Sequence, residues 1–418
     1  MSEQQTETET SSQNDPDDSE PTPQRQAQLQ AAYEANLAQG RAPYQGVRIQ
    51  TRGELRWVMG ERRWAGELFP DMWSDGTRHT GYTHANLSGI YLGETILKDI
   101  HLRAADLSYA DLANCDLRGA LFDHANLSGA QLYGAKLAGA NFLLANLAGA
   151  KLMAADLSGG GVLSSSDLTG ADLTIANLQG AFLSGAHMDA RTNLKDVRLD
   201  SKTYLGDVVW NGVPLTRVNW QEVNGLGEEH SARQSVESKG KPKDAEARLR
   251  EYGEAVVANR QVATVLRSQG LNEHADRFAY RAQLCQRAVL CRQAITRVTG
   301  QPHSPQWRVQ KLTAYLGSWF LDLISGYGYR PMRSFLTYLL VILAFAAAYF
   351  ALGNANGSPL QWNEAIVISM TAFHGRGFFQ TAFQPGDIQA AVAAVEAFIG
   401  LLIEIVLIAT FTQRFFVR

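Results

Sequence analysis

The 418-residue chain has little cysteine, little net charge and, for its first 330 residues, no long apolar run. Its three cysteines, Cys115, Cys285 and Cys291, form no CxxC pair and no even framework, which excludes a disulfide scaffold and fits a reducing compartment. A net charge of −3 excludes nucleic-acid binding through a basic surface, so no nucleic-acid partner is expected. No basic-then-apolar segment opens the sequence. There is also no GxSxG, HExxH or P-loop, and no paired nucleophile and base. An enzyme is therefore not expected, and neither is a cofactor. His101, His124 and His187 have no ligand spacing, so no metal site is predicted.

What is present is concentrated at the C-terminus. Residues 335–352 carry no charge, and residues 388–412 are almost as apolar. At 1.5 Å per residue each is long enough to cross most or all of a bilayer core of ~30 Å. Between them, 360–373 is apolar but only about half that length, so it reads as a buried or re-entrant helix. It carries Glu364 and Thr371 and runs into HGRGF at 374–378. Irregular backbone at membrane depth is tolerated only inside protein or beside a wet cavity. Projected at 100° per residue, Gln389, Glu396, Gly400, Ile403, Leu407 and Thr410 fall within about 40° of one line, and Glu404 about 80° away. This stripe is expected to line a pore, because an ionisable group in a span must face water or a partner.

These residues resemble the two-span pore-loop channel family, whose potassium members carry TVGYG after the pore helix. Laid on that motif, Phe373, His374, Gly375, Arg376 and Gly377 take the filter position, followed by Phe378. Gly375 and Gly377 match the two filter glycines, while His374 and Arg376 do not match. Gly400 takes the place of the hinge glycine of the inner helix. The resemblance covers about a fifth of the chain. It implies a homo-oligomer, a tetramer by family expectation, with inorganic ions and membrane lipid as partners. Arg376 takes the place of a filter tyrosine that points away from the pore, so Glu364 is expected to receive its guanidinium and Glu396 to set the sign of the permeant ion. The expectation is a cation-permeable, weakly selective pore. The alternatives are an anion-selective channel and a membrane-anchored scaffold without conduction. Basic residues flank the spans on their outer ends, so a multi-pass inner-membrane protein with both termini cytoplasmic is expected.

Going back to the start of the chain, 1–40 is read as a disordered tail with a short helix near its end, and 41–84 as a cap opened by Thr51 and Glu54. From Ala85 a leucine or phenylalanine recurs every five residues, as at Leu107, Leu112, Leu117 and Phe122, with small residues such as Ala105 and Ala125 two before each centre. GlyGlyGly at 159–161 inserts one residue and the phase then resumes. A period of five fits neither helix nor strand and marks a stacked solenoid. The A(D/N)LxG unit resembles the pentapeptide-repeat family, which implies a right-handed, quadrilateral β-helix with four units per coil over 85–222. Acidic residues barely outnumber basic ones there, so an acidic DNA-mimicking rod is not expected. Residues 223–243 read as a linker and 244–300 as an α-helical hairpin. Next come an amphipathic interfacial helix over 308–326 and the two-span α-helical membrane pore module over 331–418. The whole is a multidomain chain.

Overall fold

The computed structural model describes residues 19–60, 85–236, 241–295, 304–353, 358–375 and 386–416. The chain divides into two compact units, 1–242 with 257–275, and 243–256 with 276–418.

The first unit is built on the five-residue period. In one step Asp106 bridges to a neighbouring coil, Leu107 points inward, Ser108 and Tyr109 turn, and Ala110 points inward again. Ala110 N–H closes the turn on the Leu107 carbonyl at 3.0 Å. The fifth position of the A(D/N)LxG unit, third in its turn, lies at positive φ, as at Gly129 (66°), which explains the recurring glycine. Asp106 pairs in parallel with Asn126, and Asn126 with Asn146. A spacing of 20 at five residues per step makes four steps per coil. Leu107, Leu127 and Leu147 are fully buried, as are Ala110, Ala130 and Ala150. Phe122 and Phe142 stack with ring centroids 4.8 Å apart, the distance between neighbouring strands. The inserted glycine at 159–161 lengthens one coil to 21 residues, seen in the pairing of Asn141 with Val162. Among the described residues the ladder consists of isolated parallel bridges, not of strands. With a turn every five residues, each face has room for little more than one pairing position.

Both ends of the ladder are covered, and at one of them a sequence expectation is corrected. Helix α1 (Pro23–Ala38) lies where a short helix was expected near the end of the tail, and it buries Leu29 and Asn36. Arg25 ties it down, bonding Glu54 through Nε at 2.9 Å and the Arg48 carbonyl through Nη2 at 2.6 Å. Helix α2 (Arg52–Gly60) begins where Thr51 accepts from Glu54 N–H at 3.1 Å. Arg48 bridges to Tyr91, so the ladder starts before the first legible repeat. The remainder of the expected cap, 61–84, lies outside the described residues. At the other end the expected linker holds a helix, α3 (Gly227–Arg233), with Glu228 and Glu229 buried. Glu228 accepts from Gly206 N–H at 2.6 Å. The second half of α4 (Ala245–Ser268) adds two glutamine clips. Gln261 accepts from Asp207 N–H and donates to its carboxylate, both at 2.8 Å. Gln269, just past α4, accepts from Leu215 N–H at 2.8 Å and donates to the Val213 carbonyl at 2.6 Å. An open ladder edge is a template for unwanted pairing, and these groups occupy it.

In the second unit, α5 (Asn272–Ile295) runs back along the first turns of α4, with Arg292 stacked 4.2 Å over the Tyr252 ring. Helix α6 (Pro305–Ser325) is capped by Ser304 and ends at Gly326. Asp322 on α6 collects the Tyr280 hydroxyl at 2.8 Å, Arg287 at 2.7 Å and Arg333 at 3.7 Å. Burial, then the Asp322 carboxylate beside it, push the Tyr280 phenol above its ordinary value. Three further helices follow: α7 (Pro331–Leu352), α8 (Trp362–Phe373) and α9 (Ile388–Phe416).

Candidate functional site

Helices α7 and α9 are long and apolar enough to cross a membrane, α9 over Ile388–Thr412. Proline at the first helical position starts α7 and Gly353, at φ 68°, ends it. Helix α8 has 12 residues, about 18 Å by the usual rise, and packs against both. A reciprocal capping box starts it: Glu364 accepts from Gln361 N–H at 3.0 Å while the Gln361 side chain caps the third residue. It ends in a turn at His374 and Gly375.

The polarity of this bundle is inverted. Its interior holds Ser334, Tyr349, Ser369, Gln389, Glu396 and Thr410. Its surface is apolar, with Leu336, Leu340, Leu343, Val367, Val395, Phe398, Leu401, Ile405 and Ile408 all exposed. Glu396 and Tyr349 are both 0% exposed. The Tyr349 hydroxyl donates to Glu396 Oε2 at 2.9 Å, and Ser369 Oγ lies 2.5 Å from Oε1. Gln389 donates to the Gly353 carbonyl at 3.1 Å, closing the end of α7. Ile403 packs with Ile324, Ile342 and Phe373. Thr410 and Thr371 bond carbonyls of their own helices, Val406 at 2.7 Å and Val367 at 2.8 Å.

The stripe expected to face water therefore faces α7 and α8 of the same chain. Gln389, Glu396, Ile403 and Thr410 are buried there, and Leu407 is half-buried. Gly400 is a contact, because a Cβ at this position would fall on the Phe373 carbonyl oxygen. Glu364 is used at the start of α8, where its carboxylate caps the helix. Arg376, Gly377 and Phe378 lie outside the described residues.

A second cluster sits where α8 ends. His374 Nδ1 donates to the Met370 carbonyl at 2.8 Å, leaving Nε2 3.5 Å from Glu404 and 3.4 Å from the Tyr338 hydroxyl. The His374 and Glu404 side chains are 35% and 33% exposed. Phe373, buried, meets the Tyr338 ring edge-on at 5.0 Å. Sequence reasoning missed Tyr338, Tyr349 and Ser369. The signal was available in the form of hydroxyls within apolar segments that also hold a carboxylate.

Among known proteins, the profile of the pentapeptide repeats matches residues 85–123, 124–159 and 160–189, as eight copies. The chain is similar to HetL of the cyanobacterium Nostoc sp. strain PCC 7120, a pentapeptide repeat protein involved in regulating heterocyst differentiation. Identity is 23% over 34% of this chain and 85% of that one, with a TM-score of 0.20. It is similar to a pentapeptide repeat protein of the Arabidopsis thaliana thylakoid lumen, at 30% identity over 29% of this chain and 75% of that one, with a TM-score of 0.14. A third likeness is to QnrB1, a plasmid-mediated fluoroquinolone resistance protein. It has 21% identity over 34% of this chain and 64% of that one, less than two thirds of its length, with a TM-score of 0.25. No curated protein matches the chain significantly. Residues 85–189 are recognised as pentapeptide repeats.

Proposed function

We propose that this chain is a subunit of an oligomeric membrane ion channel, with a pore module over 331–418 and a cytoplasmic pentapeptide-repeat domain. The observation that carries the reading is the inverted polarity of α7, α8 and α9. Large apolar side chains outside and hydroxyl, amide and carboxyl groups inside suit a hydrocarbon surround, where polar groups must find partners within protein. A tether needs only the two long helices. The 12-residue α8, held between them and ending in a turn, is the part an ion pathway needs and a tether does not. Four subunits around an axis, both termini cytoplasmic, and a right-handed four-sided β-helix for the repeats complete the proposal.

Ions pass the end of α8 and the loop after it. Glu404, partly exposed beside His374, is the carboxylate of α9 left open to the ion path, and it takes over the sign-setting role expected of Glu396. Cation preference with weak selectivity follows. The test is full-length protein reconstituted in planar bilayers under a salt gradient. Single-channel steps reversing on the cation side are expected. Reversal at the chloride potential would assign an anion pathway past Arg376. Lipid-inserted protein without conductance would leave a membrane-anchored repeat scaffold.

A further inference from the structure

We infer that Glu396 is a neutral, protonated acid that positions α8, and not an ionised group facing the ion path. The inference follows from counting protons. Ser369 Oγ lies 2.8 Å from the Ile342 carbonyl oxygen and 2.5 Å from Glu396 Oε1. Both contacts are hydrogen-bond distances, and a full two-centre bond at each needs a hydrogen of its own. A serine hydroxyl has one proton, and a carbonyl oxygen has none. An ionised carboxylate only accepts, so with Glu396 charged the single serine proton would have to be split between two acceptors. A protonated carboxyl gives each contact a proton of its own. Ser369 donates to the Ile342 carbonyl, protonated Glu396 donates from Oε1 to Ser369 Oγ, and the Tyr349 hydroxyl donates to Oε2.

The surroundings agree. Glu396 is fully buried, and among the described residues no lysine, arginine or histidine pairs with it. The groups facing it are Tyr349 from α7 and Ser369 from α8, both neutral. An unpaired charge buried among apolar helices is strongly disfavoured. The resulting chain, from Tyr349 through Glu396 and Ser369 to the Ile342 carbonyl, bonds α9 to α8 and both to α7. It holds the short helix at mid-length, while Gly400 meets its end. Glu396 is thus a positioning residue.

This rests on the membrane reading only for the apolar setting, and its test does not require conduction. Full-length protein in lipid vesicles is compared with E396Q and E396A by infrared spectroscopy and thermal unfolding. The glutamine amide reproduces the acid, with N–H toward Ser369 and C=O toward Tyr349. Wild type at neutral pH is expected to show a carboxylic-acid C=O band that E396Q lacks. E396Q is expected to keep the unfolding midpoint of wild type, and E396A to lower it by about 5 °C or more. No acid band assignable to position 396, an E396Q midpoint that falls with that of E396A, or an E396A midpoint equal to wild type would each overturn the inference. A silent bilayer would overturn the channel proposal and leave these readings unchanged.

Discussion

Replacing Gly400 by alanine tests the packing of α8 against α9 through the sign of its effect. In an unobstructed helix interior, Gly→Ala stabilises by about 1 kcal/mol, because glycine loses more backbone freedom and covers less surface. Gly400 lies well inside α9 and would obey that rule if nothing faced it. A Cβ there would meet the Phe373 carbonyl oxygen and come to 3.0 Å from the Phe373 carbonyl carbon and ring Cγ. The obstacle is mainly backbone, at the last residue of α8, and it cannot swing aside as a long side chain would. One helix must retreat from the other. Overpacking of this kind costs about 1–3 kcal/mol, and a backbone obstacle places it near the top of that range. Set against about 1 kcal/mol of gained helix propensity, Gly400→Ala should lose about 2 kcal/mol. The assay is thermal unfolding of the full-length protein in detergent, followed by tryptophan fluorescence. Trp362, at the start of α8, is among the reporters. A stability gain near 1 kcal/mol would refute the contact and return Gly400 to the role of a hinge.

The repeat unit supports two further predictions. Gln269→Ala removes the partners of Leu215 N–H and of the Val213 carbonyl together, and should cost about 1–3 kcal/mol. Amide exchange at Leu215 should accelerate, and unchanged protection would show that the clip is incidental. Ile175 occupies a turn position at φ 53° that suits glycine, and its side chain is 48% exposed. A β-branched residue there costs about 1–2 kcal/mol, so Ile175→Gly should raise the unfolding midpoint; a fall would mean that its exposed side chain makes contacts worth more than the strain.

The core of the first unit was legible because each unit repeats one local solution. An inward leucine, a small inward residue and a turn recur in phase, and the inserted glycine at 159–161 shows up in the pairing as one 21-residue coil. Its ends were not legible. Arg25 meets Glu54 across 29 residues, and Gln261 and Gln269 each reach back 54 or more. Single polar contacts at such separations leave no periodic trace, so polar composition read as a linker where helix α3 is packed, and the anchoring of α1 went unseen. Leu29 was a departure from that composition and is buried, whereas Glu228, which anchors its segment on Gly206 N–H, is itself polar and gave no such signal.

In the second unit the helices were legible and the direction of their faces was not. Helical projection groups Gln389, Glu396, Gly400, Ile403 and Thr410 correctly, yet a polar face in an apolar helix has two physical solutions, water or neighbouring helices. The choice depends on whether the neighbours supply donors and acceptors at matching heights. Tyr349 and Ser369 supply them for Glu396, and the Gly353 carbonyl accepts from Gln389. Both helices that could answer α9 were already identified as apolar segments, and both contain hydroxyl residues. Pairing the carboxylate with those hydroxyls before assigning it to water would have turned the stripe inward. It would also have left Glu404, off the stripe and beside His374, as the partly exposed carboxylate of α9.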